Sequence, residues 1–117
     1  MINHQYKVIF IKQRKAASES IKAAFGVKRG SQEWRAYTDG VLDPNWSARD
    51  PSYFVFAVVR NPFDRLISSW KYLPAYRKKN LAEVLKNPPM EGHDFRHLTR
   101  PQIAILKDPA TGKLVVD

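Results

Sequence analysis

Two apolar runs without alternation set the frame of this chain. Tyr6-Lys7-Val8-Ile9-Phe10-Ile11 and Tyr53-Phe54-Val55-Phe56-Ala57-Val58-Val59 read as strands covered on both faces, as in a parallel sheet. Each is followed by a polar loop and then by helical spacing. After the first run, a helix is predicted from about Ser18 to Phe25, with Ile21, Ala24 and Phe25 inward and Gly26 as its C-cap. After the second, Asn61 is a good N-cap, Pro62 suits the first helical position and Asp64 suits the positive end of the helix dipole. Phe63, Leu66, Ile67, Trp70 and Leu73 recur there at helical spacing and predict one buried face, with Pro74 ending the helix. Two strand–loop–helix units place the chain in the α/β class, with a central, mainly parallel sheet.

The remaining segments are shorter and more polar. Residues 1–5 read as a lead-in that contains His4, and Trp34 to Thr38 as a short strand. Asp39-Gly40 and Asp43-Pro44-Asn45 are turn signals, and Trp46 is expected to pack on the sheet, with a place in an acceptor site as the alternative. Arg77-Lys78-Lys79 is either a solvated helix end or an acidic-acceptor patch. Asn80 caps a short predicted helix, Leu81 to Lys86, closed by Asn87-Pro88-Pro89. Met90 to Arg100 reads as irregular. Ile103 to Leu106 is apolar, residues 108–113 form a turn, and Leu114 to Asp117 begins a strand.

Composition narrows the partners. At 117 residues the chain is one small domain, 1–117, with a modest core. No apolar run reaches membrane-spanning length, and the N-terminus carries no signal-peptide pattern. There are no cysteines, which excludes disulfides and cysteine-ligated zinc and fits a reducing compartment. A soluble cytoplasmic protein is the expectation. The formal charge of +9 favours anionic partners: nucleic acid, a polyanionic nucleotide, or a sulfated or acidic acceptor. No helix-turn-helix, zinc or RNP-type motif is visible, so nucleic acid is the weaker choice.

Both loops carry anion-binding chemistry. Arg60 stands at a strand end beside a helix start, where ligands of open α/β sheets bind and a guanidinium makes an anion clamp. Arg14-Lys15-Ala16-Ala17-Ser18-Glu19-Ser20 follows the first strand, and its backbone N–H groups plus Lys15 form a cradle for phosphate or sulfate. It lacks the glycines of a Walker A loop, which argues against a P-loop kinase.

These residues resemble the two nucleotide-binding motifs of sulfotransferases that use 3′-phosphoadenosine 5′-phosphosulfate (PAPS). Arg60-Asn-Pro-Phe-Asp-Arg-Leu-Ile-Ser-Ser-Trp70 is similar to the motif in which an arginine, and a serine eight positions later, grip the 3′-phosphate. Arg60 and Ser68 have that spacing. Residues 14–20 resemble the 5′-phosphosulfate loop, Pro-Lys-x-Ala-Gly/Ser-x-Ser. Arg14 replaces the proline, Lys15 matches, Ala17 and Ser18 match the small pair, and Ser20 matches the last serine. Glu19 departs from the usual Thr or Ser; it must point away, pair with a lysine, or have its own role. In the tail, His97 before Pro101-Gln102 is similar to the His-x-x-Pro-Gln of carbohydrate-type members, with one extra residue.

The resemblance implies a three-layer α/β fold of P-loop-like topology and transfer of a sulfonate group from PAPS to a hydroxyl or amine, without a metal. The acceptor is expected to be a glycan, with a lipid or another small molecule as alternatives. Arg14, Lys15, Ala17, Ser18, Glu19, Ser20, Arg60 and Ser68 are the implied donor-binding residues, with Lys15 at the leaving oxygen. The general base is expected to be His97, then His93, then Glu19. Relatives continue beyond the last strand, so the chain is expected to be a fragment, a minimal version, or completed by a partner. A non-catalytic domain that binds PAPS or its product 3′-phosphoadenosine 5′-phosphate (PAP) is the first alternative, and a basic nucleic-acid-binding domain the second.

Overall fold

The structure, a computed structural model, describes residues 1–35, 50–108 and 110–117. Its elements are β1 (Ile2–Asn3), β2 (Val8–Ile11), α1 (Ser18–Ala24), α2 (Gln32–Arg35), β3 (Phe54–Ala57), α3 (Pro62–Tyr72), α4 (Leu81–Lys86) and α5 (Gly92–Leu98). A 3₁₀ turn over Gln102–Ile105 follows. The class is α/β. The described sheet has the order β1-β2-β3 and is mixed: β1 runs antiparallel to β2, and β2 parallel to β3. Ile9 faces Val55 and Ile11 faces Ala57 in the parallel register. The loops after β2 and β3 therefore leave the same edge of the sheet.

Side-chain alternation along the strands splits the core. On one face, Ile9, Ile11 and Val55 pack with Ile105, Leu106 and Val115. On the other, Phe10 meets Phe56 at 5.2 Å, and Phe25, just past α1, meets Phe56 at 6.1 Å. The expectation of two doubly covered strands holds for β2, where Ile9, Phe10 and Ile11 are buried. It fails for β3: Phe54 is 55% and Val59 59% exposed. Among the described strands β3 lies at the edge, and Val58 and Val59 lie beyond its end. The free side of Val55 is met by Asp117: the Asp117 N–H donates to the Val55 carbonyl at 2.9 Å, and the Val55 N–H donates to Asp117 Oδ2 at 2.6 Å. The expected strand from Leu114 is thus a bridge between Leu114 and Lys107 followed by this contact.

Other expectations are corrected by local chemistry. The polar lead-in contains β1, with Asn3 Oδ1 accepting from the Tyr6 N–H in the turn that follows. Along α1 and its C-cap, Ile21 and Phe25 are half-buried in keeping with the inward face expected, but Ala24 is exposed and Lys22 is buried. Lys22 Nζ donates to the Trp34 carbonyl at 2.9 Å and lies 4.3 Å from the Trp34 ring centre. Trp34 belongs to α2 rather than to a strand, because the Ser31 hydroxyl accepts from the Trp34 N–H as an N-cap. Residues 36–38 of that expected strand, both turn signals and Trp46 lie outside the described residues, as does Pro109 of the later turn.

Helix α3 starts as the sequence dictates. Asn61 Oδ1 accepts from the N–H groups of Phe63 and Asp64, and Pro62 follows. The buried face is rotated from the one expected. Leu66, Trp70 and Leu73 pack with Val84 of α4 and Leu98 of α5, but Phe63 is 74% and Ile67 40% exposed. Arg65 and Ser69 are buried in their place. The cause is α5, which occupies the stretch expected to be irregular and lies against α3. Asn80 caps α4 as expected, accepting from the Ala82 N–H.

Candidate functional site

The loop after β2 turns sharply without glycine. Lys15 and Ala17 both have positive φ, 62° and 57°. Left-handed backbone is uncommon for residues with a Cβ and concentrates where function holds it in place. The loop opens a cleft of about 480 Å³ lined by Lys12, Arg14, Lys15, Ala17, Ser18, Glu19, Ser20, Arg29, Trp34, Tyr72 and His97. With four cations against one carboxylate, its lining is strongly basic. Glu19 pairs with Lys12 at 3.6 Å, the second of the three ways in which the sequence could accommodate an acid here.

Lys15 Nζ lies 4.2 Å from the centre of the Tyr72 ring, a cation–π contact. Burial, then the Arg60 charge, holds its pKa below the ordinary lysine value. Arg60 reaches the same loop, its Nη1 donating to the Lys15 carbonyl at 3.4 Å. The Arg60 main chain is fixed by Gln102. Its N–H donates to Gln102 Oε1 at 2.9 Å, and Gln102 Nε2 donates to its carbonyl at 2.8 Å. Gln13, 1% exposed, donates in turn to the Gln102 carbonyl.

His97 lies on the last turn of α5, 5% exposed. Arg14 Nη1 donates to its Nε2, so the ring carries its proton on Nδ1, which is buried without a partner among the described residues. The ring stacks on Tyr72 at 5.4 Å and meets the His93 ring at 4.6 Å. Burial first, and then the charges of Arg14, His93, Lys15 and Lys12, lower its pKa from 6.5 to about 4. His93 is exposed and pairs with Asp94 at 2.9 Å.

Of the residues singled out from sequence, Arg14, Lys15, Ala17, Ser18, Glu19, Ser20 and His97 line the cleft together. Arg60 joins them through the Lys15 carbonyl, while Ser68, half-buried on α3, and His93 stand outside the lining. Sequence reasoning missed Tyr72, Arg29, Trp34, Gln13 and Gln102. For Tyr72 a signal existed: it lies four residues after Ser68, hence on the same helix face.

The chain belongs to the sulfotransferase family: the family model described as "Sulfotransferase family" matches residues 1–100. No curated protein and no solved structure gives a significant match.

Proposed function

We propose that this chain binds PAPS across its two loops and transfers the sulfonate group to a hydroxyl or amine of an acceptor, a carbohydrate before other small molecules. The observation that carries this is the meeting of the two motifs. The parallel pairing of β2 and β3 sends both loops off one edge, and Arg60 touches the Lys15 carbonyl there. Basic lining and a loop held in left-handed backbone fit a phosphosulfate group. Arg60 and Ser68 hold the 3′-phosphate in this reading, and the chain forms one domain of three-layer, P-loop-like topology in the cytoplasm.

The donor supplies the sulfonate; the chain's residues bind, orient and take a proton. Lys15 stands where negative charge develops on the leaving oxygen, and Arg14 adds a second cation beside it. As the acceptor oxygen bonds to sulfur, the bond from sulfur to the leaving phosphate oxygen breaks, and the acceptor proton needs a base. His97 is neutral and lines the cleft, but its Nε2 is engaged by Arg14. Turning Arg14 toward the donor frees that nitrogen and removes one of the charges that depress its basicity. His93 and Glu19 follow as alternatives. No step in this reading requires a metal.

A second reading, nucleotide binding without transfer, is favoured by one observation: His97 is 5% exposed with Nε2 occupied. Both readings require the nucleotide site. Lys15→Ala and Arg60→Ala are each expected to lower PAP affinity at least about tenfold, the loss of one charge-assisted contact, with thermal unfolding unchanged. Unaltered affinity in both variants would reject the site. Radiolabel transfer from PAPS to glycan and hydroxyl acceptors then separates transfer from binding.

A further inference from the structure

The motif that carries Arg60 also carries two polar residues aimed away from the cleft. Arg65 is 6% exposed and Ser69 fully buried, and neither lines the cleft. Arg65 Nη1 donates to the His97 carbonyl at 3.0 Å and Nη2 to the Arg100 carbonyl at 2.8 Å. Ser69 Oγ lies 2.7 Å from the same His97 carbonyl and 2.8 Å from the Arg65 carbonyl. The last carbonyls of a helix lack intrahelical partners, and a cation there is favoured by the dipole.

Burying a guanidinium is costly. Here its hydrogen bonds among the described residues go to carbonyls rather than to a carboxylate, its Nε is buried without a partner, and burial pulls its pKa below the ordinary arginine value. A leucine at this position would fill the space without that cost. What the guanidinium adds is a fixed position for two carbonyls. One of them belongs to His97, whose ring touches Arg14 and stacks on Tyr72. Tyr72 lies three residues after Ser69 on the same helix, so α3 holds His97 by its backbone and by its ring.

We propose that Arg65 and Ser69 are positioning residues for His97: they fix the C-terminal end of α5 so that the imidazole stands against Arg14 and Tyr72 at the cleft wall. One helix then serves both ends of the site, with Arg60 just ahead of its N-cap and His97 of α5 held by Arg65, Ser69 and Tyr72 along it. The catalytic weight of this arrangement rests on the reading of His97 as the proton acceptor; the positioning itself does not.

The test is an NMR titration of the His97 ring in the full chain, compared with Ser69→Ala and Arg65→Lys, with PAP affinity measured alongside. The groups that face the ring are Arg14, Lys15, Lys12, His93 with Asp94, and Tyr72. In the wild type His97 is expected to titrate at about 4, and in both variants to move up toward 6.5, as the loosened helix end admits water. PAP affinity is expected to stay unchanged. A folded Ser69→Ala whose His97 titrates as in the wild type overturns the proposal. So does a loss of PAP affinity as large as that of Arg60→Ala, which would place the pair on the nucleotide. If Arg65→Lys does not fold, Ser69→Ala decides alone. If the wild type binds no PAP, the nucleotide reading falls, and the titration still decides the positioning.

Discussion

His97 is neutral in the pH range where an ordinary histidine takes up its proton, and this has a sign that can be worked out. Its folded pKa of about 4 lies below the ordinary 6.5. Between those values the unfolded chain binds the proton more tightly than the folded one. Its contribution to stability is therefore complete above 6.5 and is lost as pH falls through 6.5 toward 4. At 5% exposure solvent screens little of it, and the full shift corresponds to about 3 kcal/mol at most. Denaturant unfolding near neutral pH and near pH 4 is expected to show this loss in the wild type. The His97→Gln variant should show a visibly smaller one. Equal losses in the two proteins would mean that His97 does not titrate in this way.

At the scale of elements, the 97–102 segment ties the loops after β2 and β3 together. Arg65 and Ser69 hold its start and Gln102 holds the Arg60 main chain, with Gln13 behind it. Gln102→Ala removes two hydrogen bonds at the strand end and is expected to cost about 1–2 kcal/mol. The same change should weaken PAP binding, because Arg60 loses its backbone anchor; calorimetry and chemical denaturation on one sample separate the two effects. Asn61→Ala removes the cap of α3 and is expected to cost about 1 kcal/mol in the same unfolding assay. The cap, Pro62 and the ends of α3 and α4 were legible in the sequence because each is set by local chemistry. The length and place of α5 were not. It has seven residues, begins at Gly92 with φ of 74°, and mixes histidine, aspartate and arginine with two apolar side chains. Its packing on α3 decides both its own helicity and which face of α3 is buried. No periodicity within α3 distinguishes Phe63 and Ile67, which are exposed, from Leu66 and Trp70, which are packed.

At the scale of the molecule, the legible part was the pair of strand–loop–helix units, and with it most of the cleft. Lys15, Ser18 and Ser20, which line it, and Arg60, which reaches the Lys15 carbonyl, could be singled out because a polar loop between a strand and a helix start has a local pattern. Arg29 and Trp34 enter the cleft only through tertiary folding, and no local pattern announces them; Tyr72 had the helical spacing from Ser68 as its signal. The net charge of +9 is a weak guide by itself, since it also suits nucleic acid. In the nucleotide reading the basic cleft takes a compact polyanion, whereas a duplex needs an extended face. Among the described residues no helix is long and apolar enough to cross a membrane. The most direct measurement is calorimetric titration of the full chain with PAP, with ATP and a short DNA duplex as controls. Saturable binding of PAP, stronger than that of ATP and little changed by moderate salt, is the predicted result. A folded sample that binds PAP no better than ATP, or that binds the duplex more tightly than either, would contradict the assignment of the two loops to one nucleotide.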